Sequence, residues 1–194
     1  MTQLFSAPPT DLAADGARLA RSLADLGQIG RLPSGAVRRL AFSDEDRAAR
    51  SLVRTWMEEA GMAVRIDAAG NLIGRYDGLR PEAPVLATGS HIDTVPEGGL
   101  YDGALGVLAG IEVVRVLAAR DLRLQHPLEV IAFADEESTM VGCKSMVGHA
   151  SDDPASYSTS LGVSIQEGLA SIGGDWEQRH SARRSRQEMA AFLE

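Results

Sequence analysis

Apolar residues recur at Leu12, Leu19, Leu23 and Leu26 within residues 10–28, close to the three-to-four spacing of an amphipathic helix. A link containing Pro33, Gly35 and the basic Arg39 leads into "FSDEDRAARSLVRTWMEEAG", whose apolar stripe takes in Leu52, Val53, Trp56 and Met57. Ser43 and Asp46 give this second helix a capping-box-like start, and Gly61 gives it a stop. Residues 62–76, "MAVRIDAAGNLIGRY", predict two short strands around a turn at Ala69, Gly70 and Asn71.

A different pattern follows. "PVLATGS" is a continuous apolar run bounded by Pro84 and Gly89, and "PLEVIAFA" is another; each predicts a buried strand. Between them, residues 103–120 read as a helix with Leu105, Leu108, Ile111, Val114, Val116 and Leu117 on more than one face. Strand, helix and strand within about fifty residues form a parallel crossover, and strands apolar throughout belong to a sheet covered on both faces. The expected class is α/β. Beyond Gly148 the chain becomes polar and irregular, with weaker helical signals at 163–172 and 181–192. There is no internal repeat and no low-complexity tract.

Composition narrows the partners. The chain has 194 residues, 44% hydrophobic and 24% charged, as ordinary globular proteins do. Its net charge of −8 provides no basic footprint, so neither nucleic acid nor an anionic membrane is an expected partner. The first thirty residues lack a basic leader followed by an apolar segment, so no signal peptide or anchor is expected. The lone cysteine, Cys143, rules out an internal disulfide and suits a reducing compartment, with the cytoplasm as the expected location. A small buried or semi-buried thiol is the expected role for Cys143, since no partner base is evident.

The chemistry-bearing residues follow the two buried strands. In open α/β sheets ligands bind beyond the carboxyl ends of the strands. The first strand runs into His91 and Asp93, the second into Asp135, Glu136 and Glu137, and Asp102 opens the intervening helix. Each has a plain reading when taken singly: His91 and Asp93 as loop residues, Asp102 as a helix N-cap, and Glu136 and Glu137 as solvated acids at a helix start. Taken together they call for another explanation, because clustered carboxylates repel one another. An imidazole with several carboxylates suits a divalent ion such as zinc, manganese or cobalt, and a carboxylate between two ions can bridge them.

The stretch "GSHIDTVPEGGLYDGALGVLAGIE", with "FADEES" further on, resembles the amidohydrolase branch of the M20 metallopeptidase family, which includes N-carbamoyl-L-amino-acid hydrolases and allantoate amidohydrolases. The likeness extends upstream through "AVRRLAFSDEDRAARSLVRTWMEEAGMAVRIDAAGNLIGRYDG" and covers at least residues 25–150. It implies part of an M20-type catalytic domain, with a mixed, mostly parallel sheet and helices on both faces. It also implies hydrolysis of a non-peptide C–N bond in a carbamoyl or ureido compound, with two divalent ions as cofactors. His91 would bind one ion, Asp102 would bridge both, and Glu137 would bind the other. Asp93 would orient His91, and Glu136 would be the general base that takes a proton from the attacking water and hands it to the departing nitrogen. Gly70 and Asn71 match a family feature read as turn chemistry. Full-length relatives are expected to be homodimers.

The chain also departs from the family pattern. Family members are roughly twice as long, with an "HIEQG"-like segment, a smaller second domain and a final metal-binding histidine. The expectation is that residues 1–194 are the N-terminal part of a catalytic domain, that each ion has two protein ligands here, and that the chain alone binds metal weakly. His126, His149 and His180 do not fall on family ligand positions and are expected at the surface or in loops. Ser138 and Thr139 stand where glycine commonly follows the glutamate pair. Two other readings stay open: a non-catalytic fragment or interaction module, and a peptidase of the same family, the latter disfavoured by the spacing between "GSHIDTV" and "DGALGVLAG".

Overall fold

The structure, a computed structural model, describes residues 12–193. The first helix, α1, spans Gly16–Leu26, with Asp15 as N-cap accepting from the Arg18 N–H. It therefore starts later than the leucine spacing predicts, and the part of that prediction at residues 10–11 lies outside the described residues. The second helix, α2, spans Asp44–Glu59; Ser43 Oγ accepts from Asp46 N, and three acids occupy the first turn, where the helix dipole favours them. The Asp46 carboxylate does not complete a capping box. It turns back one residue further and accepts from Phe42 N at 2.9 Å.

The strands β1, Ala63–Ile66, and β2, Leu72–Tyr76, form the expected antiparallel hairpin. Then come β3, Val85–His91; α3, Ala104–Ala118; and β4, Leu128–Phe133. The helices α4, Val141–Val147, and α5, Ile165–Ser171, follow, and the last strand is β5, Met189–Leu193. Sheet order is β1-β2-β4-β3-β5. The β4-β3 and β3-β5 pairings are parallel and those around β2 antiparallel, so every strand except β2 runs in one direction. Helices α2 and α3 cover one face over Val53, Met57, Val107, Ile111, Val130 and Ala132. On the other face, Ile73, Val85, Ala87, Ile131 and Phe133 pack against Met146 of α4. No helix among the described residues is long and apolar enough to cross a membrane.

The helix expected at 181–192 is not formed. Residues 179–182 make a short 3-10 turn, and the chain then enters β5. Two interactions outweigh the helix-favouring composition of "RRSRQEMAAFLE". The free edge of β3 offers a parallel ladder, begun by Val85 N donating to Glu188 O at 2.8 Å. Arg184 also reaches Glu129, buried in the central strand, at 2.8 Å. Arg65 and Arg75 lie 3.8 and 3.7 Å from the same carboxylate, and Arg184 adds the closest bond to a buried charge that needs partners, which draws the segment across the sheet.

The apolar character of α3 on more than one face is explained by its neighbours, the sheet on one side and α1 on the other, while Leu105 and Val113 remain exposed. The α1 contact contains one buried charge: Glu112, fully buried on α3, accepts from Arg18 at 2.6 and 2.8 Å and from Asp15 N at 2.9 Å. Burial disfavours the Glu112 charge, but these hydrogen bonds outweigh it and hold the carboxyl below its ordinary value of 4.5. Removing the partner leaves a buried carboxylate unpaired, so Arg18→Ala is expected to destabilise by about 2 kcal/mol in urea unfolding. The loss should be full above the unfolded-state pKa and vanish as pH falls through the folded value, because protonated Glu112 no longer needs the cation. A double replacement, Arg18→Met with Glu112→Met, should recover most of the loss at neutral pH.

Candidate metal centre

The β3–β4 register places His91 opposite Phe133, so the residues following the two strands emerge side by side at one sheet edge. His91 ends β3 and is 7% exposed. Its Nδ1 lies 3.0 Å from the Asp93 carbonyl oxygen. A neutral imidazole donating from Nδ1 to that carbonyl presents the Nε2 lone pair, the arrangement a metal-binding histidine requires.

Gly103 makes room in front of Nε2. It has φ +63°, and a Cβ at this position would lie 2.5 Å from that atom. Gly103 is also the N-cap of α3 and no side chain caps the helix, so the plain N-cap reading of Asp102 does not hold. The Asp102 carboxylate instead joins His91 and Glu137: one donor atom from each of the three lies within 4.8 Å of the others. Glu136 stands beside them, with Oε2 3.6 Å from His91 Nε2 and its side chain 28% exposed.

Asp93 links the two loops. Its carbonyl faces His91, while its carboxylate accepts from the backbone N–H of Glu137 at 3.1 Å and of Glu136 at 3.4 Å. The carboxylate is 3.8 Å from His91 Nδ1, so the close contact to the ring is made by the backbone. Burial raises the Asp93 carboxyl from 3.8 to about 7, against the pull of the Glu137 N–H and His91 and with the help of Asp46 and Asp135. Burial also raises Glu137; His91 opposes this, while Asp102 and Glu136 add to it. These acids are held close enough to disfavour each other's charge, a cost that a bound cation relieves.

The turn carrying Glu136 and Glu137 is tightly bonded. Asp135 has φ +50°, its carbonyl accepts from Met140 N at 2.7 Å, and its carboxylate accepts from the hydroxyls of Ser138 and Thr139. The two residues that depart from the family's glycine thus secure this turn.

Several supporting residues escaped the sequence reading. Asn71, fully buried, does more than shape its own hairpin turn: Oδ1 accepts from Ala134 N at 3.1 Å, and Nδ2 donates to Gly142 O at 3.2 Å and to Asp67 at 2.9 Å. It fastens the hairpin to both ends of the acid-bearing turn. Arg39, which looked like a basic link residue, is 2% exposed and donates to the carbonyls of Ile92, Leu26 and Ile29. The "GN" pair was the only signal for Asn71, and a basic residue in a polar link gave none for Arg39.

The other histidines do not join the cluster. His126 Nδ1 meets Pro84 O at 2.6 Å, His180 pairs with Asp152 at 2.7 Å, and His149 is exposed beyond α4. Cys143 is half-buried, its Sγ donates to Met140 O, and burial pushes its thiol up, as suits an unreactive side chain.

The donor set fits a divalent ion: one imidazole with a free lone pair, two carboxylates within reach, and space maintained by a glycine. Comparison with known proteins agrees. Residues 71–168, which include every residue of the cluster, match the family model described as Peptidase family M28. The chain is 42% identical over 184 residues to an N-carbamoyl-L-amino acid amidohydrolase of Geobacillus stearothermophilus, covering 92% of this chain and 45% of that protein. It is 41% identical over 133 residues to an Arabidopsis thaliana ureidoglycolate hydrolase, covering 69% and 28%. The fold matches the crystal structure of a hydantoinase/carbamoylase family amidase from Burkholderia ambifaria with a TM-score of 0.84 at 40% identity, over 93% of this chain and 45% of that one. The chain thus spans less than half the length of these relatives. The matched family model spans half of the chain, beside relatives named for carbamoyl and ureido compounds, and the chain belongs to peptidase family M28.

Proposed function

We propose that this chain contributes the histidine-and-carboxylate half of a two-metal centre that hydrolyses a non-peptide C–N bond in a small carbamoyl or ureido compound, such as an N-carbamoyl-L-amino acid or allantoate. The observation that carries this reading is the convergence of His91, Asp102 and Glu137 from three separate segments onto one point. In it, His91 would hold one ion, Glu137 the other and Asp102 both, with zinc, manganese or cobalt as the ions. A divalent ion supplies two things such a reaction lacks: it lowers the pKa of a water from about 15.7 to about 7 and polarises the carbonyl.

The remaining roles belong to the protein. Glu136 is partly exposed beside the ligands, where it can take a proton from the attacking water and deliver it to the departing nitrogen. Asp93 holds His91 in the tautomer that frees Nε2 and fixes the backbone of both glutamates. Because the chain spans 45% of its Geobacillus relative, we place the remaining ligands, a second domain and any homodimer contact in the share of the relatives that it does not span.

Three results are expected. Calorimetric titration of the chain with zinc or manganese should show binding that is abolished in His91→Ala and Asp102→Asn but retained in Glu136→Gln; undiminished binding in the first two would overturn the ligand assignment. Gly103→Ala, which places a methyl against the imidazole at a positive φ, should weaken metal binding at least about tenfold, equivalent to about 1.4 kcal/mol. Incubation of the chain and metal with N-carbamoyl-L-amino acids or allantoate should give no turnover until the remaining share of the relatives' length is supplied. Once it is, Glu136→Gln should lower the rate by about 100- to 10,000-fold. Efficient turnover by these 194 residues alone would refute the shared-centre reading.

A further inference from the structure

Away from the acidic cluster, α2 forms one wall of a pocket of about 180 Å³. Arg47, Arg50 and Arg54 line it at spacings of three and four, which places them on one helix face, and no aspartate or glutamate lines it. In a chain with 27 acidic and 19 basic residues, three guanidinium groups around one small pocket go against the overall charge. Like charges at these spacings oppose the helix that presents them. Composition alone does not account for this concentration.

Arg50 distinguishes the pocket from an ordinary basic surface. It is 6% exposed, and its sole hydrogen bond within the described structure is Nη2 to the Gly70 carbonyl. A guanidinium carries five N–H donors and stays charged. Burial disfavours that charge, and Asp46 sustains it through space, yet no carboxylate among the described residues forms an ion pair with Arg50. The only buried side-chain nitrogen or oxygen sealed from solvent without a partner, among the described residues, is Ser145 Oγ. The unpartnered Arg50 nitrogens therefore keep some solvent access, and Arg50 is among the residues that line the pocket.

Of the other two arginines, Arg47 also donates Nη1 to the Phe42 carbonyl at 2.7 Å, and the ion pairs of both are at the surface. Arg47 pairs with Asp44 and Arg54 with Glu58, whose side chains are 87% and 56% exposed. Surface pairs of this kind contribute little and exchange easily for a better acceptor. The pocket's serines, Ser51 and Ser171, already donate to the carbonyls of Arg47 and Gly168, which leaves recognition to the guanidinium groups. Opposite them, Ile66, Leu72 and Ile172 form an apolar floor.

We infer that this pocket binds a small oxyanion, a carboxylate or phosphate group, which Arg50 meets from within and Arg47 and Arg54 close over from the rim. Planar guanidinium groups match the two-oxygen edge of either anion. The pocket shares no lining residue with the metal cluster, although Arg50 also feels the charge of Asp93, and the proposal does not depend on the reading of that centre.

The test is a titration of the 194-residue chain, in the presence of a metal chelator, with inorganic phosphate, acetate and butyrate, followed through the arginine Nε–Hε signals by NMR. Saturable shifts are expected for at least one anion. Preference for phosphate identifies a phosphate group as the ligand, and butyrate binding more tightly than acetate identifies a carboxylate whose tail rests on the apolar floor. The double variant Arg47→Gln, Arg54→Gln alters only half-exposed side chains and should weaken binding about tenfold or more, in line with losing charge-assisted hydrogen bonds. Arg50→Lys should weaken it despite keeping the charge, whereas His91→Ala should leave it unchanged. Absence of saturation with all three anions, or equal affinity in the double variant, overturns the proposal.

Discussion

The arrangement of the metal centre depends on a single buried carboxylate, that of Asp93. Two adjacent parallel strands deliver a histidine to one loop and two glutamates to the next, but adjacency of strands does not determine how their loops lie. Asp93 determines it with both ends of its residue, the carbonyl toward His91 and the carboxylate toward the backbone of Glu136 and Glu137. Such a group is costly to bury, and the rise in its pKa expresses that cost. The structure surrounds it with a layer of equally buried charge in Arg39, Asp46, Arg50 and Asp135. Each of these also holds backbone in place, at Ile92, Phe42, Gly70 and the acid-bearing turn.

Much of this was legible in the sequence, and the reasons are physical. β3 and β4 are largely apolar, broken by Thr88 and Ser90 in one and Glu129 in the other, because both faces of a central strand are covered, and such runs stand out in any chain. The hairpin of β1 and β2 was legible from its turn residues, and α2 from Ser43 and Gly61, because these positions obey local rules. The candidate ligands could be found because His91, Asp102 and Glu137 follow, or open, elements that were themselves legible.

What escaped was non-local. Nothing around residue 189 reveals that β3 has an open edge or that Glu129 takes its closest partner from residue 184, so a helix-favouring composition was read as a helix where pairing makes a strand. Asn71 and Arg39 act on segments about sixty and fifty residues away, and only the fold brings these together. The plain single-residue reading of Asp102 as a cap does not hold for a related reason: the carboxylate has the option of a contact with His91 and Glu137 that exists only after the sheet has formed.

The position of α3 bears on how the molecule opens. This helix packs between the sheet and α1, which bury nine of its fifteen residues and leave Leu105 and Val113 exposed. Its packed amides are expected to exchange hydrogen more slowly than those of the loops around it. Asp102 lies just ahead of its first turn, where that helix meets the loop following β3. One donor of the centre is thus tied to a helix held by apolar packing, while Glu136 and Glu137 sit in a turn held by the polar side chains of Asp93, Asp135 and Asn71. Loss of those polar anchors would release the centre from the glutamate side first and leave the Asp102 side in place.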